Sequence, residues 1–279
     1  MHSFSYKNGS LHCEGVDIQT IADIHGSPTY IYSSETILNN YRALDSALGE
    51  LDHAIEYAVK ANSNLSVLKL LIDAGSGFDI VSAGELQRVI AAGGDPAKCT
   101  FAGVGKTYEE ISYCLQKGIY CFNAESEAEV QFIDQVAGDL GLKAPVAVRV
   151  NPNVDAKTHE KITTGKKENK FGVDFEYIEG VYERASALEN IELRGLQMHI
   201  GSQLTDVTPF VEAIEKVAPL AAKLKEAYGI EFFSIGGGIG IVYDEAFASG
   251  PQSWWDEKSD EARPLTFAAN CNKHGSIVL

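Results

Sequence analysis

Apolar residues recur along this chain with two periods that take turns. Short runs of four to seven residues, rich in branched and aromatic side chains, read as buried strands. Between them lie segments with apolar residues three and four apart, the spacing of a helix with one buried face. The pattern predicts strands at 53–59, 78–81, 99–102, 119–123, 146–150, 193–199 and 232–235, with helices at 66–74, 83–92, 108–116, 126–140, 175–187 and 207–228. Strands alternating with helices at this spacing build βαβ units and a parallel sheet. The predicted fold is therefore α/β, a (β/α)8 TIM-type barrel read one strand short, since such a barrel closes with about eight. A polar loop fills 151–170, and after Gly240 the alternation stops.

Ahead of the barrel, residues 4–6 and 11–13 flank Asn8-Gly9 and read as a hairpin. Residues 18–24 form a helical turn closed by Gly26 and Pro28, and 29–32 read as one more strand. Ser33 or Ser34 then caps a helix that runs to Leu48 and stops at Gly49.

An apolar fraction of 45% is ordinary for a chain that buries a core. The formal net charge of -16 repels nucleic acid and anionic membranes, so neither is expected as a partner. No apolar run reaches the length of a membrane span, and the N-terminus lacks the charged-then-apolar order of a secretory signal. Cys13, Cys99, Cys114, Cys121 and Cys271 are odd in number and form no C-x-x-C pair, which suits free thiols in a reducing cytoplasm. The histidines are scattered without the spacing of a zinc site, so no metal is expected.

The chemistry gathers at strand ends. Lys60 lies in Tyr57-Ala58-Val59-Lys60-Ala61-Asn62-Ser63-Asn64, where a strand hands over to a helix. In a parallel barrel that edge is where active sites form. A lysine held in an apolar wall gives up its proton more readily, and its free amine can form a Schiff base. Gly236-Gly237-Gly238, with Gly240, follows the seventh strand and offers backbone N–H groups to an anion such as a phosphate. His199 and Ser202 end the sixth strand, the histidine able to face the barrel mouth or to sit in the core. Asp79 and Arg149 end two others, where a structural ion pair and an active-site role are both open. A buried Asp79 needs a partner, which Arg149 or Lys60 would supply. Gly103-Val104-Gly105-Lys106-Thr107 imitates the end of a phosphate-binding G-x-x-x-x-G-K-[ST] loop, but Thr100 stands where the first glycine belongs.

Taken together, the Lys60 motif, Phe78-Asp79-Ile80-Val81-Ser82-Ala83-Gly84-Glu85, Arg149-Val150-Asn151-Pro152, Thr163-Thr164-Gly165-Lys166-Lys167-Glu168-Asn169-Lys170-Phe171-Gly172 and His199-Ile200-Gly201-Ser202-Gln203 resemble the alanine-racemase-like (fold type III) pyridoxal-phosphate enzymes. Within them they are most similar to the diaminopimelate decarboxylase family, from about residue 30 to about 267. The resemblance implies pyridoxal 5'-phosphate as cofactor, a homodimer, and decarboxylation of meso-2,6-diaminopimelate to L-lysine. It implies that Lys60 holds the cofactor covalently, that His199 stacks on its ring, and that Asp79 and Arg149 shape the surroundings of the lysine. Ser202, Gly236, Gly237 and Gly238 would bind its phosphate.

The family's pattern continues past this C-terminus, with a Glu-Pro-Gly-Arg strand and a β-domain carrying Cys-Glu-Ser, and none of these motifs occurs here. The expected organisation is an N-terminal segment over 1–28, an incomplete barrel over 29–267 and a divergent tail over 268–279, with impaired decarboxylation. Two alternatives stand beside it: a non-catalytic pyridoxal-phosphate barrel of the homeostasis type, and a decarboxylase of ornithine, arginine or carboxynorspermidine.

Overall fold

The structure is a computed structural model that describes residues 3–154, 171–204 and 206–240. The chain divides into two compact units, whose described parts are residues 3–49 and 50–240. The motif at 163–172 falls outside the description except for Phe171 and Gly172, as does the tail beyond Gly240.

In the first unit β1 (Phe4–Lys7) and β2 (Ser10–Cys13) pair antiparallel, and β3 (Val16–Asp17) adds to β2. Asn8 and Gly9 both adopt positive φ, 52° and 87°, the turn that matches the twist of a tight hairpin. Asp17 caps α1 (Ile18–His25), and Ser33 caps α2 (Ser34–Leu48) by accepting from the Thr36 N–H. Glu14 fastens the start of α2. Its Oε1 accepts from the Glu35 N–H and from the Ser33 and Ser34 hydroxyls, bonds that hold its carboxyl below the usual carboxylate range. The strand expected at 29–32 does not form. Tyr30 is 89% exposed, and strand-forming composition acts only where a neighbouring strand supplies the ladder.

The second unit follows the predicted rhythm. In chain order it runs β4 (Glu56–Ala58), α3 (Leu65–Ala74), β5 (Gly77–Ile80), α4 (Ala83–Ala91), β6 (Cys99–Phe101), α5 (Tyr108–Lys117), β7 (Cys121–Ala124), α6 (Glu127–Leu140), β8 (Ala144–Asn151), β9 (Val173–Asp174), α7 (Ile178–Ser186), β10 (Ile191–Met198), α8 (Thr208–Tyr228) and β11 (Phe232–Ser234). The strands are parallel and stand side by side in that same order, with β9 a two-residue spur on β8. This is the sequential winding of a (β/α) barrel. Polar caps set the helix starts: Ser82, Thr107 and Ser126 each accept from the N–H three residues on, and Thr107 with Glu110 makes a reciprocal capping box.

Register gives the sheet two unlike faces. Ala58, Asp79, Thr100 and Cys121 are successive Cα partners, as are Arg149 and Gln197. Partners in register point the same way, and side chains two apart share a face. One face therefore carries Glu56, Asp79, Thr100, Asn123, Arg149 and Gln197. The other carries Phe78, Ile80, Phe101, Phe122, Val148 and Met198, each at most 1% exposed. Helix residues such as Leu68, Leu86, Ile111 and Ile133, all fully buried, complete the core on that apolar side. On the polar face the Phe232 ring lies over Gly195, where an added Cβ would come within 2.4 Å of it. Gly195→Ala should lower the unfolding free energy by about 1–3 kcal/mol in urea titrations, as overpacked sites do; an unchanged midpoint would contradict this register.

Candidate active site

The first strand is shorter than its apolar run suggests. β4 ends at Ala58, and Val59–Ala61 tighten into a single turn of 3-10 helix. Lys60 therefore leaves the sheet edge on a turn, and it is exposed rather than sealed in an apolar wall. Among the described residues its amine makes no hydrogen bond or ion pair, although its charge acts on both Asp79 and His199. Tyr57 Oη donates to the Asn62 carbonyl, and Asn64 caps α3, so the segment after the lysine is held on both sides.

Asp79 and His199 approach the lysine with shifted protonation. Burial pushes the Asp79 carboxyl up to about 6, against the opposing charge of Lys60. Burial likewise pushes the His199 imidazole down to about 4, helped by the charges of Arg149 and Lys60. At neutral pH the site therefore presents a carboxylate and a neutral ring beside the lysine.

Arg149 does not pair with Asp79. Its Nη1 donates to both oxygens of Glu125, at 3.1 and 2.9 Å, and its Nη2 donates to the His199 carbonyl at 3.3 Å. Its guanidinium carbon lies 5.9 Å from the Phe171 ring centroid, and Gly172, with φ 89°, packs on its stem and donates to the Glu125 carbonyl. Beside it Lys106 is buried, donating to Glu129 Oε1 at 2.7 Å and to the Gly103 and Asn123 carbonyls. The imitation phosphate loop thus spends its lysine on structure. Glu125 and Glu129 escaped the sequence reading, which named Lys106 only in the discarded phosphate loop. The Ser126-x-x-Glu129 cap was a visible trace of Glu129, but nothing local marks Glu125 as the partner of a residue 24 positions away.

The glycine turn lies directly on the His199 segment. Leu204 N–H donates to the Gly238 carbonyl at 2.9 Å, and Gly240 N–H returns to the Leu204 carbonyl at 2.8 Å. A Cβ on Gly236 would fall 2.2 Å from the Met198 carbonyl oxygen, and one on Gly238 1.8 Å from that of Gly201. Both glycines hold positive φ, 74° and 99°. Gly237 N–H points at His199 Nδ1, 3.4 Å away, while the Gly238 N–H meets no acceptor among the described residues. Ser202, half-buried, stands in the same loop just before Gln203, itself at positive φ. The arrangement is an exposed amine, a carboxylate, a neutral ring and a backbone cradle that only glycine permits.

Residues 34–269 match the family model described as "Pyridoxal-dependent decarboxylase, pyridoxal binding domain". The chain belongs to the pyridoxal-dependent decarboxylase family. Among curated members of that family, the diaminopimelate decarboxylase of Pseudomonas aeruginosa is 50% identical over 244 residues, 87% of this chain and 59% of that protein. Among solved structures, the M. jannaschii diaminopimelate decarboxylase in complex with L-lysine aligns with TM-score 0.80 and 35% identity, covering 99% of this chain and 64% of that one. The Helicobacter pylori enzyme, also complexed with L-lysine, aligns at 0.77 and 37%, covering 88% and 63%. The chain thus spans about three fifths of the length of these relatives.

The family's cofactor is pyridoxal phosphate, and the residues present fit it. The amine of Lys60 is accessible, and the Gly236–238 turn closes against its neighbours only because no Cβ stands there. Two measurements check this site. Arg149→Met leaves Glu125 buried without its cation and should cost about 3–5 kcal/mol of stability. Lys69→Met, on the exposed pair with Asp73, should leave the unfolding midpoint unchanged. The His199 ring should titrate by NMR near pH 4; a midpoint at the ordinary imidazole value would contradict the burial assigned to it.

Proposed function

We propose that this chain carries the cofactor-binding barrel of a meso-2,6-diaminopimelate decarboxylase, which releases carbon dioxide and leaves L-lysine. The observation that carries this reading is the convergence of Lys60, Asp79 and His199 at one sheet edge, with the glycine turn laid against His199. The names of the relatives and the L-lysine bound in two structural neighbours support the substrate class.

In this reading Lys60 holds the cofactor by its amine and Asp79 faces that amine with a negative charge. The N–H groups of Gly237 and Gly238, with the Ser202 hydroxyl, bind the phosphate. His199, uncharged, offers the face of its ring as a wall, and Arg149 fixes the backbone from which His199 projects. When bound there, the cofactor supplies an electron sink for the pair left on the α-carbon as carbon dioxide departs. A proton then replaces the lost carboxylate.

The test uses the chain as it stands. Incubation with pyridoxal phosphate, borohydride reduction and peptide mass mapping should place a pyridoxyl group on Lys60. Gly238→Ala, which drives a methyl into the Gly201 carbonyl, should weaken cofactor capture by about tenfold or more. Label on other lysines, or none, would overturn the reading.

A further inference from the structure

We propose that Glu56 is a positioning residue for the Lys60 amine: with Asp79 it forms a two-carboxyl pair inside the barrel that presents a single negative charge to Lys60 around neutral pH. The proposal rests on Lys60 being the cofactor lysine.

Geometry sets the pair. Glu56 lies two residues before Ala58, whose Cα partner is Asp79, so both carboxyls share the polar face of the sheet. The partner of Glu56 itself is Gly77. A Cβ there would stand 3.1 Å from Glu56 Cγ and 2.7 Å from the Lys98 carbonyl oxygen, so the missing side chain leaves the room that Glu56 uses. From the next strand Thr100, 2% exposed, donates its hydroxyl to Glu56 Oε2 at 2.5 Å. Among the described residues no cation pairs with Glu56. The charged group that acts on it is Asp79 on β5, and its own charge acts on Cys99 on β6 and on Tyr120 and Cys121 at β7, none of them positive. Asp79 in turn faces Lys60, Glu85, Lys106 and Glu125.

Two carboxyls close together in a desolvated interior do not both ionise readily. Burial pushes Glu56 up to about 8, opposed by the Thr100 hydrogen bond and reinforced by Asp79, while Asp79 lies near 6. Between these values the pair holds one proton, on Glu56, and one charge, on Asp79. Below them the charge facing Lys60 is lost; above them a second appears and favours any cation on the lysine nitrogen.

The experiment follows the near-visible absorbance band of the pyridoxal-phosphate-loaded chain from about pH 6 to about 10. The pH midpoint of the unmodified chain should lie about half a unit or more above that of Glu56→Gln, with matching spectra at neutral pH. Thr100→Val removes the donor that favours ionised Glu56, so it should move the midpoint toward the Glu56→Gln value. Coincident midpoints in all three overturn the proposal and leave the Lys60 reading intact; no band in the unmodified chain overturns both. A second readout needs no cofactor. A carboxyl whose folded value is raised contributes stability that is lost as pH rises through that value. Urea unfolding of the cofactor-free chain should therefore show stability falling from about pH 6 to about 9, and Glu56→Gln should abolish that fall. Equal slopes would overturn the proposal.

Discussion

The buried ion pair between Arg149 and Glu125 is the constraint on which the mouth of this barrel depends. Arg149 comes from the end of β8, Glu125 from the end of β7, and the same guanidinium reaches the carbonyl of His199 just beyond β10. Three strand ends are thereby fixed to one planar group whose donors have set directions. The glycine turn after β11 depends on this in the next layer, because its carbonyl and N–H groups interlock with the segment from Met198 to Leu204. Such a pair adds little net stability over an apolar pair of the same size, since both ions must leave water. Its contribution is direction: it decides where His199 stands.

The second determinant is the contrast between the two faces of the sheet. The helix-covered face is uniformly apolar and supplies the burial that holds the fold. The opposite face carries acids, amides and a guanidinium, some with unmet hydrogen-bonding capacity: Asn123 Oδ1 and Gln197 Oε1 are buried acceptors without a donor among the described residues. A barrel lined this way gives up some stability inside to keep charged groups close to a reacting centre. Lys60 sits at the edge of that lining, and its reach over Asp79 and His199 follows from where β4 stops.

Much of this was legible in the chain itself. The alternation of two periods gave the strand and helix order of the second unit, because helix-covered parallel strands need continuous apolar runs and their helices need one buried stripe. The expected cap at Ser33 or Ser34 marked the start of α2, where Ser33 takes that place. The lysine, histidine and glycine motifs were visible at strand ends. What could not be read was tertiary choice. The predicted strand at 29–32 has strand-like composition but no neighbour. The two-residue β9 is too short for any pattern to show. Arg149 could have chosen Asp79, and only the fold reveals Glu125 within its reach. Glu56 drew no reading from the sequence, and only the register sets it beside Asp79 and Thr100.

The central claim is that one amine and one glycine cradle lie within the span of a single pyridoxal phosphate molecule. Crystals of the chain grown with that cofactor would test it directly through the difference electron density at the barrel mouth. The account predicts unbroken density from Lys60 Nζ, past the face of the His199 ring, to a phosphate on the N–H groups of Gly237 and Gly238. A phosphate bound elsewhere, or a cofactor detached from Lys60 with the glycine turn empty, would contradict it.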